Sequence, residues 1–442
     1  MSIVLCLTIL CVKRWDVWFG NPIEPPYQTL TEPSRIQLTF GAVGERSRNA
    51  VGERSRTAVG ERSRNVSWQC GDTLAPSNLL LIKEGDVNLI PAEGKIFHTT
   101  GGTTVSYHAV LDSLSAGEYH YRVETGGKQS AWYDFKVNAD TENFSFVYLG
   151  DVQDTVGGVS KQFFKNIRHW QPDAAFWLFG GDVIERPHDQ YWNEYFTSMD
   201  TIAQTLPILA IAGNHEYLKG VRRTLEERFI YTFSYFLENT DFAAYELHYG
   251  NTAIILLDSN RDFWELPAQR KWLEAALAKP AQWKIVALHH PVYSIRGKMN
   301  NLTVRWAFND LFQKYGVDLV LQGHEHGYAR MINEGTTPVY IISNSSPKDY
   351  RLYFNEKYQR FGNGERFYNT ISASGDSLVV KTFTEENELY DNILLLKNKE
   401  VRDRATDIIP EHFEINNRSK KFKGKELKKY QHEIRTREGF DK

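Results

Sequence analysis

Apolar and polar positions along this chain follow two rhythms. Up to about residue 139 they come in short runs, several alternating with period two: RIQLTF (35–40), VSWQC (66–70), NLLLIK (78–83), TVSYHAV (104–110), EYHYRV (119–124) and AWYDFK (131–136). Gly, Pro, Asn or Asp bound them, as expected of half-buried strands joined by tight turns. Short strands at this spacing predict a β-sandwich over 27–139. From Asn143 apolar strand runs alternate with amphipathic helical stretches. FSFVYLGD precedes VSKQFFKNIRHW, AAFWLFGGD precedes DQYWNEYFTSM, and PILAIAGNHE precedes another helix-compatible segment. AIILLDSN then leads to AQRKWLEAALAK, WKIVALHHP leads to TVRWAFNDLFQKYG, and DLVLQGHEH closes the series. That alternation predicts an α/β layered domain over 140–398, with strands returning in FYNTIS, SLVVKTFT and ELYDNILLLK. Residues 399–442 read as a charged tail in which KELKKYQHEIRTRE is compatible with one helix.

One stretch fits neither rhythm. Residues 42–65 read AVGERSRN, AVGERSRT, AVGERSRN. Without two of the three units the chain reads RIQLTFGAVGERSRNVSWQC, two strands joined by a short polar turn. The block therefore predicts one native turn copied twice, an expanded loop on a scaffold domain. Loop closure grows slowly with length, so the expansion costs only about 1 kcal/mol. Eight residues is no solenoid period, and the units lack core residues beyond Ala and Val. Deleting 50–65 is expected to leave folding nearly unchanged.

The 442 residues have room for two or three domains, and 41% hydrophobic with 24% charged residues is ordinary for a soluble globular chain. A net charge of -3 gives no global basic bias, so no nucleic-acid partner is expected. Cys6, Cys11 and Cys70 provide neither a disulfide framework nor a cysteine metal site in the main body. Residues 1–26 read as a leader and turn-rich lead-in. The apolar run over 3–12 is too short to span a bilayer and suits a signal-peptide core, although no positive charge precedes it and Lys13 and Arg14 follow. A secreted or periplasmic location is the expectation, with the cytoplasm left open and no stable membrane span.

Five segments share one grammar, an apolar strand followed by a turn bearing metal-type ligands: LGDVQD (149–154), FGGDVIE (179–185), IAGNHEY (211–217), VALHHP (286–291) and LQGHEHGYAR (321–330). In α/β sheets the carboxyl ends of strands converge on one crevice. Each piece alone has a plain structural reading as a turn or a packed histidine. Together they gather Asp151, Asp182, Asn214, His289, His324 and His326. Carboxylate, amide and imidazole suit two metal ions such as Fe, Zn or Mn.

The GD, GD, GNHE, VALH and GHEH blocks resemble the calcineurin-like metallophosphoesterase superfamily. With the sandwich before them, residues 35–398 resemble purple acid phosphatases. Leu114, Gly117, Tyr119, Tyr121 and Val123 in LSAGEYHYRV are similar to the tyrosine-corner strand of fibronectin type III-like domains. The resemblance implies a fibronectin type III-like β-sandwich followed by a four-layer α/β/β/α metallophosphoesterase domain. It implies Asp182 as the bridging carboxylate, Asp151 and His326 on one metal, and Asn214, His289 and His324 on the other. His289 fits the ligand position better than His290. His215 would sit beside the phosphoryl group as a catalytic residue without binding metal. Two metals about 3.5–4 Å apart would acidify a water into the hydroxide that attacks phosphorus in line. The implied substrate is a phosphorylated small molecule or peptide, a phosphomonoester first; a phosphodiester or pyrophosphate fits the same blocks. Arg330, Arg186 and His188 are candidate phosphate contacts, each with a supporting or surface role as the simpler reading. Two positions depart from the purple pattern. Glu185 stands where the tyrosine of GDxxY would be, and Gln153 where other members of the superfamily carry the histidine of Asp-x-His. Paired histidines downstream of VALH are missing from SIRGKMNN. The reading from another class is a non-catalytic adhesion or binding protein. Retention of Asp182, Asn214 and His324 argues against it. The sandwich would serve as a scaffold or as a homodimer face.

Overall fold

The alternating runs of the N-terminal part fall in strands. The computed structural model describes residues 20–42, 59–235, 243–296, 301–333, 335–350, 357–362, 365–404 and residue 428. The leader over 1–19, the first two repeat units apart from Ala42, and nearly all of the predicted tail helix lie outside these described residues. The strands are β1 (Ser34–Ala42), β2 (Val59–Gln69), β3 (Ser77–Lys83), β4 (Asp86–Pro91), β5 (Glu93–His98), β6 (Thr103–Leu111), β7 (Gly117–Thr125), β8 (Lys128–Gln129) and β9 (Tyr133–Val137). One layer runs β4-β3-β7-β8 with β9 on β7; the facing layer contains β1, β2, β6 and β5. Ile36, Leu38, Val66, Leu79, Tyr121 and Phe135 fill the space between them. Trp68 stacks on Tyr107 at 5.8 Å and satisfies its indole N–H on Thr125 Oγ1 at 2.9 Å. The sequence pattern does not mark β4 because this edge strand is almost wholly exposed and so has no apolar face.

The α/β part runs β10 (Phe144–Leu149), α1 (Ser160–Trp170), β11 (Trp177–Phe179), α2 (Asp189–Met199), α3 (Ile202–Thr205), β12 (Ile208–Ala210), β13 (Tyr217–Leu218), β14 (Thr224–Leu225), α4 (Glu227–Thr232), β15 (Tyr245–Tyr249), β16 (Thr252–Leu257) and α5 (Leu266–Leu277). It continues with β17 (Trp283–Leu288), α6 (Leu302–Lys314), β18 (Leu319–Gln322), β19 (Tyr328–Asn333), β20 (Thr336–Ile342), β21 (Arg360–Gly362), β22 (Phe367–Ala373), β23 (Ser377–Thr384), β24 (Leu389–Leu396) and β25 (Val401–Asp403). One sheet is β12-β11-β10-β22-β23-β24-β25, and the other contains β21-β19-β20-β18-β17-β16-β15. Phe146 and Tyr148 of β10 point between the sheets, against Leu256, Ile285, Leu321 and Ile371. The alternate residues Val147 and Leu149 face outward onto Phe163, Phe164 and Ile167 of α1. On the other side Leu273 and Leu277 of α5, with Phe308 and Phe312 of α6, cover Ile255, Val286 and Val320. These three cores stack helices, sheet, sheet and helices, the expected four layers. The last strand, β25, lies inside the segment read as tail and pairs with β24.

The repeat is where expectation and structure part. β2 begins at Val59, so the third AVGERSRN unit is mostly strand rather than loop. Its start pairs in parallel with β15, Val59 with Leu247 and Gly60 with His248, while its later residues pair with β1 and β6. Glu61 accepts from Gly250 N at 2.5 Å and from Thr141 Oγ1 at 3.2 Å. Arg64 is buried with its guanidinium 4.6 Å over the Phe40 ring. A polar turn sequence becomes strand here because a strand from the other half supplies its missing partner. The sandwich layer and the second α/β sheet are thereby one 11-stranded sheet.

Candidate metal centre

Parallel strands deliver the ligands. β10, β11 and β12 are parallel neighbours, as are β16, β17, β18 and β20, and the loops at their carboxyl ends meet between the sheets. Asp151 follows β10, Asp182 follows β11, Asn214 follows β12, His289 follows β17, and His324 and His326 follow β18. Two groups form. Asp182, His289 and His324 converge with ligand atoms within 4.8 Å of one another, and so do Asp151, Asp182 and His326. Asp182 belongs to both. Asn214 Oδ1 lies 3.3 Å from His289 Nε2, which places the amide on the first group. All six predicted ligands are therefore brought together.

The backbone is bent to do this. Asp151, Asp182, His324 and His326 have φ of 43°, 49°, 71° and 46°, in the left-handed region that non-glycine residues rarely occupy. Two glycines allow the loops to approach. A Cβ on Gly213 would stand 2.1 Å from Asp182 N and Oδ1; one on Gly181, whose φ is +89°, would stand 2.5 Å from His289 Nδ1.

Hydrogen bonds show what the ligands are ready for. His289 Nδ1 donates to the Gly180 carbonyl at 2.8 Å, which aims Nε2 at the other ligand groups; against the effect of burial, the Asp182 carboxylate pushes this imidazole up to about 10, and a bound metal ion would take the place of the Nε2 proton. That Nε2 faces His324 Nδ1 at 3.2 Å and Asp182 Oδ1 at 3.3 Å. Burial pulls His324 and His326 down to about 3, so both imidazoles are neutral. Asp151 is fully buried, and neither of its carboxylate oxygens has a hydrogen-bond partner. Burial raises its pKa, and the Asp182 charge adds to the rise. A buried carboxylate beside a second one, Asp182, and the neutral His326 imidazole calls for a cation. The donor set therefore fits two metal ions.

Residues 144–328 match the family described as calcineurin-like phosphoesterase. That segment is a calcineurin-like phosphoesterase domain. The chain's relatives lie on the purple acid phosphatase branch. It is 24% identical over 299 residues to a probable purple acid phosphatase 20 of Arabidopsis thaliana, covering 60% of this chain and 65% of that one. It is 25% identical to a purple acid phosphatase of Glycine max, covering 62% and 68%. Against purple acid phosphatase 22 of Arabidopsis thaliana it spans 53% of the relative, so this chain covers about half to two thirds of these proteins. The structure of purple acid phosphatase PPD1 from yellow lupin superposes with a TM-score of 0.69 at 17% identity, over 83% of this chain and 74% of that one. The structure of PhoD superposes with 0.58 at 13% identity, over 86% and 94%. Both share the fold.

In this chain the glutamates inside two of the blocks act on the backbone. Glu216, wholly buried, accepts four main-chain N–H bonds: from Gly213 and Asp182 on Oε2, and from Val183 and Ile184 on Oε1, at 2.7–3.1 Å. It ties the Asp182 loop to the Asn214 loop. Burial and the Asp182 charge push it up to about 8, but four donors occupy its four lone-pair sites, and that geometry is a carboxylate's. Glu325 does the same for the His324–His326 turn, accepting from Ser294 Oγ and Ile295 N at 2.5 Å. Sequence reasoning missed both. A Glu three residues after Gly213, placed to accept from the Gly213 N–H as the third residue of a capping box does, was the available signal for the first.

The remaining candidates divide. His215 sits at the rim, its Nδ1 donating to the Glu185 carbonyl at 2.5 Å and its Nε2 3.8 Å from Asp182 Oδ2. Gln153 is buried with Nε2 3.4 Å from His326 Nε2, and its Oε1 has no partner. His290 lies behind the ligands, bonded to Ser259 Oγ at 3.1 Å with its ring 4.2 Å from that of His324. Glu185 belongs to neither ligand group and pairs with Lys348. Arg330 is not a phosphate contact: β19 carries it into the sheet, where it holds Asp391 in a bidentate pair at 2.9 and 3.0 Å and reaches Asp403 at 2.7 Å. His188 also faces away, buried against the Pro22 carbonyl, and Arg186 is exposed. A cleft of about 500 Å³ between the sandwich and α2 is crossed by the Arg35–Asp189 pair and contains none of these groups.

Proposed function

We propose that this chain is a binuclear metal-dependent hydrolase of phosphate esters, phosphomonoesters first. The observation that carries the reading is the pair of ligand groups sharing buried Asp182, with the unpartnered Asp151 carboxylate in one of them. Asp151, Asp182 and His326 would hold one ion; Asn214, His289, His324 and the shared Asp182 the other. Such ions, when bound, supply Lewis acidity toward a phosphoryl oxygen and acidify bound water. The chain's own residues do the rest. Glu216 and Glu325 hold the ligand loops in register. The Gly180 carbonyl keeps the His289 proton on Nδ1. The Glu185 carbonyl likewise holds the His215 Nδ1–H and aims Nε2 at the rim; with Nε2 also protonated, the imidazolium gives that proton to the leaving ester oxygen and is left neutral. The purple acid phosphatase relatives favour monoesters, and Glu185 in place of a tyrosine removes the phenolate that a charge-transfer colour needs.

The N-terminal part reads as fibronectin type III-like, supported by the Tyr119 hydroxyl donating back to the Ser115 carbonyl at 2.9 Å, a tyrosine corner. Export rests on the apolar run over 3–12; among the described residues no helix is long and apolar enough to cross a membrane.

Elemental analysis with turnover of p-nitrophenyl phosphate and a diester under added Mn, Zn or Fe tests the function. About two ions per chain are expected. Asp182→Asn should lose metal and activity together, whereas His215→Ala should keep metal and lose roughly 100-fold or more in kcat. Equal turnover by both variants and the wild type would sink the assignment.

A further inference from the structure

One wall of the site comes from the segment after β20, which carries none of the metal blocks. Buried Asn344 donates to the carbonyls of Ser346 and Lys348, at 2.9 Å each. Ser346 Oγ donates to the Gln153 carbonyl at 2.9 Å and accepts from Lys348 N at 3.2 Å. Tyr350 N donates to the His326 carbonyl at 3.3 Å, and its ring centroid lies 4.4 Å from that imidazole's. The Lys348 backbone is thus tied on one side to the Asp151 loop and on the other to the His326 loop. Its side chain crosses to the Glu185 carboxylate, whose own carbonyl accepts from His215. The ammonium stands where three functional loops meet, and its charge acts on His326.

We propose that Lys348 is the cation that receives the substrate's phosphoryl oxygens, with Glu185 as the counter-ion that holds it in place until the phosphate arrives. The inference rests on the phosphoester reading above. A phosphomonoester brings up to two negative charges and three terminal oxygens, and a positive side chain at the rim serves the oxygens that the two metal ions leave free. Arg330 is sequestered with Asp391, and the Arg296 guanidinium lies 4.3 Å over the Tyr350 ring. Lys348 and Glu185 are both partly exposed, so their pairing is weak and easily exchanged. Phosphate oxygens offer the ammonium charge-assisted bonds of at least equal strength. Glu185 thereby gains a task as a positioning residue, at the position where the chain departs from GDxxY.

The test uses the full chain, stripped by chelation and reconstituted with Mn, and inorganic phosphate as the probe. Calorimetry gives the phosphate Kd, and elemental analysis gives the metal content. Lys348→Met should weaken phosphate about tenfold or more at unchanged metal stoichiometry, and should raise KM for a monoester more than it lowers kcat. Lys348→Arg, which keeps the charge, should recover most of the affinity. Glu185→Gln should keep its metal and bind phosphate severalfold tighter, having lost the competing carboxylate. A Lys348→Met Kd within twofold of wild type, no recovery in the Arg variant, or metal loss in Glu185→Gln would each overturn the proposal while leaving the phosphoesterase intact. A reconstituted wild type that neither binds phosphate nor turns over ester would overturn both.

Discussion

Replacing Glu216 by Gln changes one atom and very little volume, yet it should be among the most damaging substitutions in the molecule. The carboxylate accepts two main-chain N–H bonds on each oxygen. An amide oxygen can keep one pair. The NH₂ that replaces the other oxygen must face two N–H donors, so two bonds are lost and two buried donors are left unpaired. At about 1–3 kcal/mol for each unsatisfied buried group, the loss is about 2–6 kcal/mol. For a domain of this size that corresponds to a fall of roughly 5–20 °C in melting temperature. The damage should be local first, because the donors include Asp182, which both ligand groups share, and Gly213, which precedes Asn214. Metal content of the purified variant should therefore drop below two ions per chain. Thermal melts of stripped and reconstituted protein, with elemental analysis, measure both effects. A Gln variant that melts within a degree or two of wild type and keeps its full metal would refute the claim that this carboxylate clamps the two loops.

Arg330→Met should cost about 3–5 kcal/mol in denaturant unfolding by stranding buried Asp391, with KM for a phosphate ester unchanged; a raised KM at normal stability would restore Arg330 as a substrate contact. Glu61→Ala should destabilise by about 1–3 kcal/mol, because Gly250 N and Thr141 Oγ1 lose their acceptor. Deleting 50–65 should remain tolerated, since residues 42–49 repeat the same AVGERSRN and can supply the strand; loss of folding in that deletion would show the copies are not interchangeable. Burial first, then Glu385, Glu388 and Glu386, push Glu365 up to about 7 from an ordinary value of 4.5. The folded chain then binds a proton that the unfolded chain releases between those values, so this group makes stability fall as pH rises from about 4.5 to 7. Because the side chain is only half-buried, Glu365→Gln should add only about 1 kcal/mol at pH 8 and nothing near pH 4, read from melts across that range.

Much of the site was legible because every candidate ligand follows an apolar strand, and parallel strands bring their carboxyl ends together whatever lies between them. Asp151, Asp182, Asn214, His289, His324 and His326 needed only that rule. Roles set by tertiary neighbours were not legible. Glu216 and Glu325 look like ordinary acidic residues in their blocks until the facing N–H groups are in view. Lys348 follows β20, a strand the sequence pattern did not mark, and its partner is 163 residues away. Arg330 misled because it closes the GHEHGYAR block, yet the chain turns into β19 within four residues of His326 and buries it. The repeat misled for a related reason. Its composition is that of a turn, and only pairing with β15 makes it strand.

That pairing bears on how the protein is made. The bond from Gly250 to Glu61 spans 189 residues of chain, and β2 cannot complete its ladder until β15 exists. During synthesis the N-terminal half emerges first and waits with the 59–61 edge open. An open edge is a template for pairing with other chains, and charged side chains on it discourage that. A unit with one Glu and two Arg in eight residues is a safe sequence to leave waiting, where Val or Ile would invite aggregation before the second half arrives.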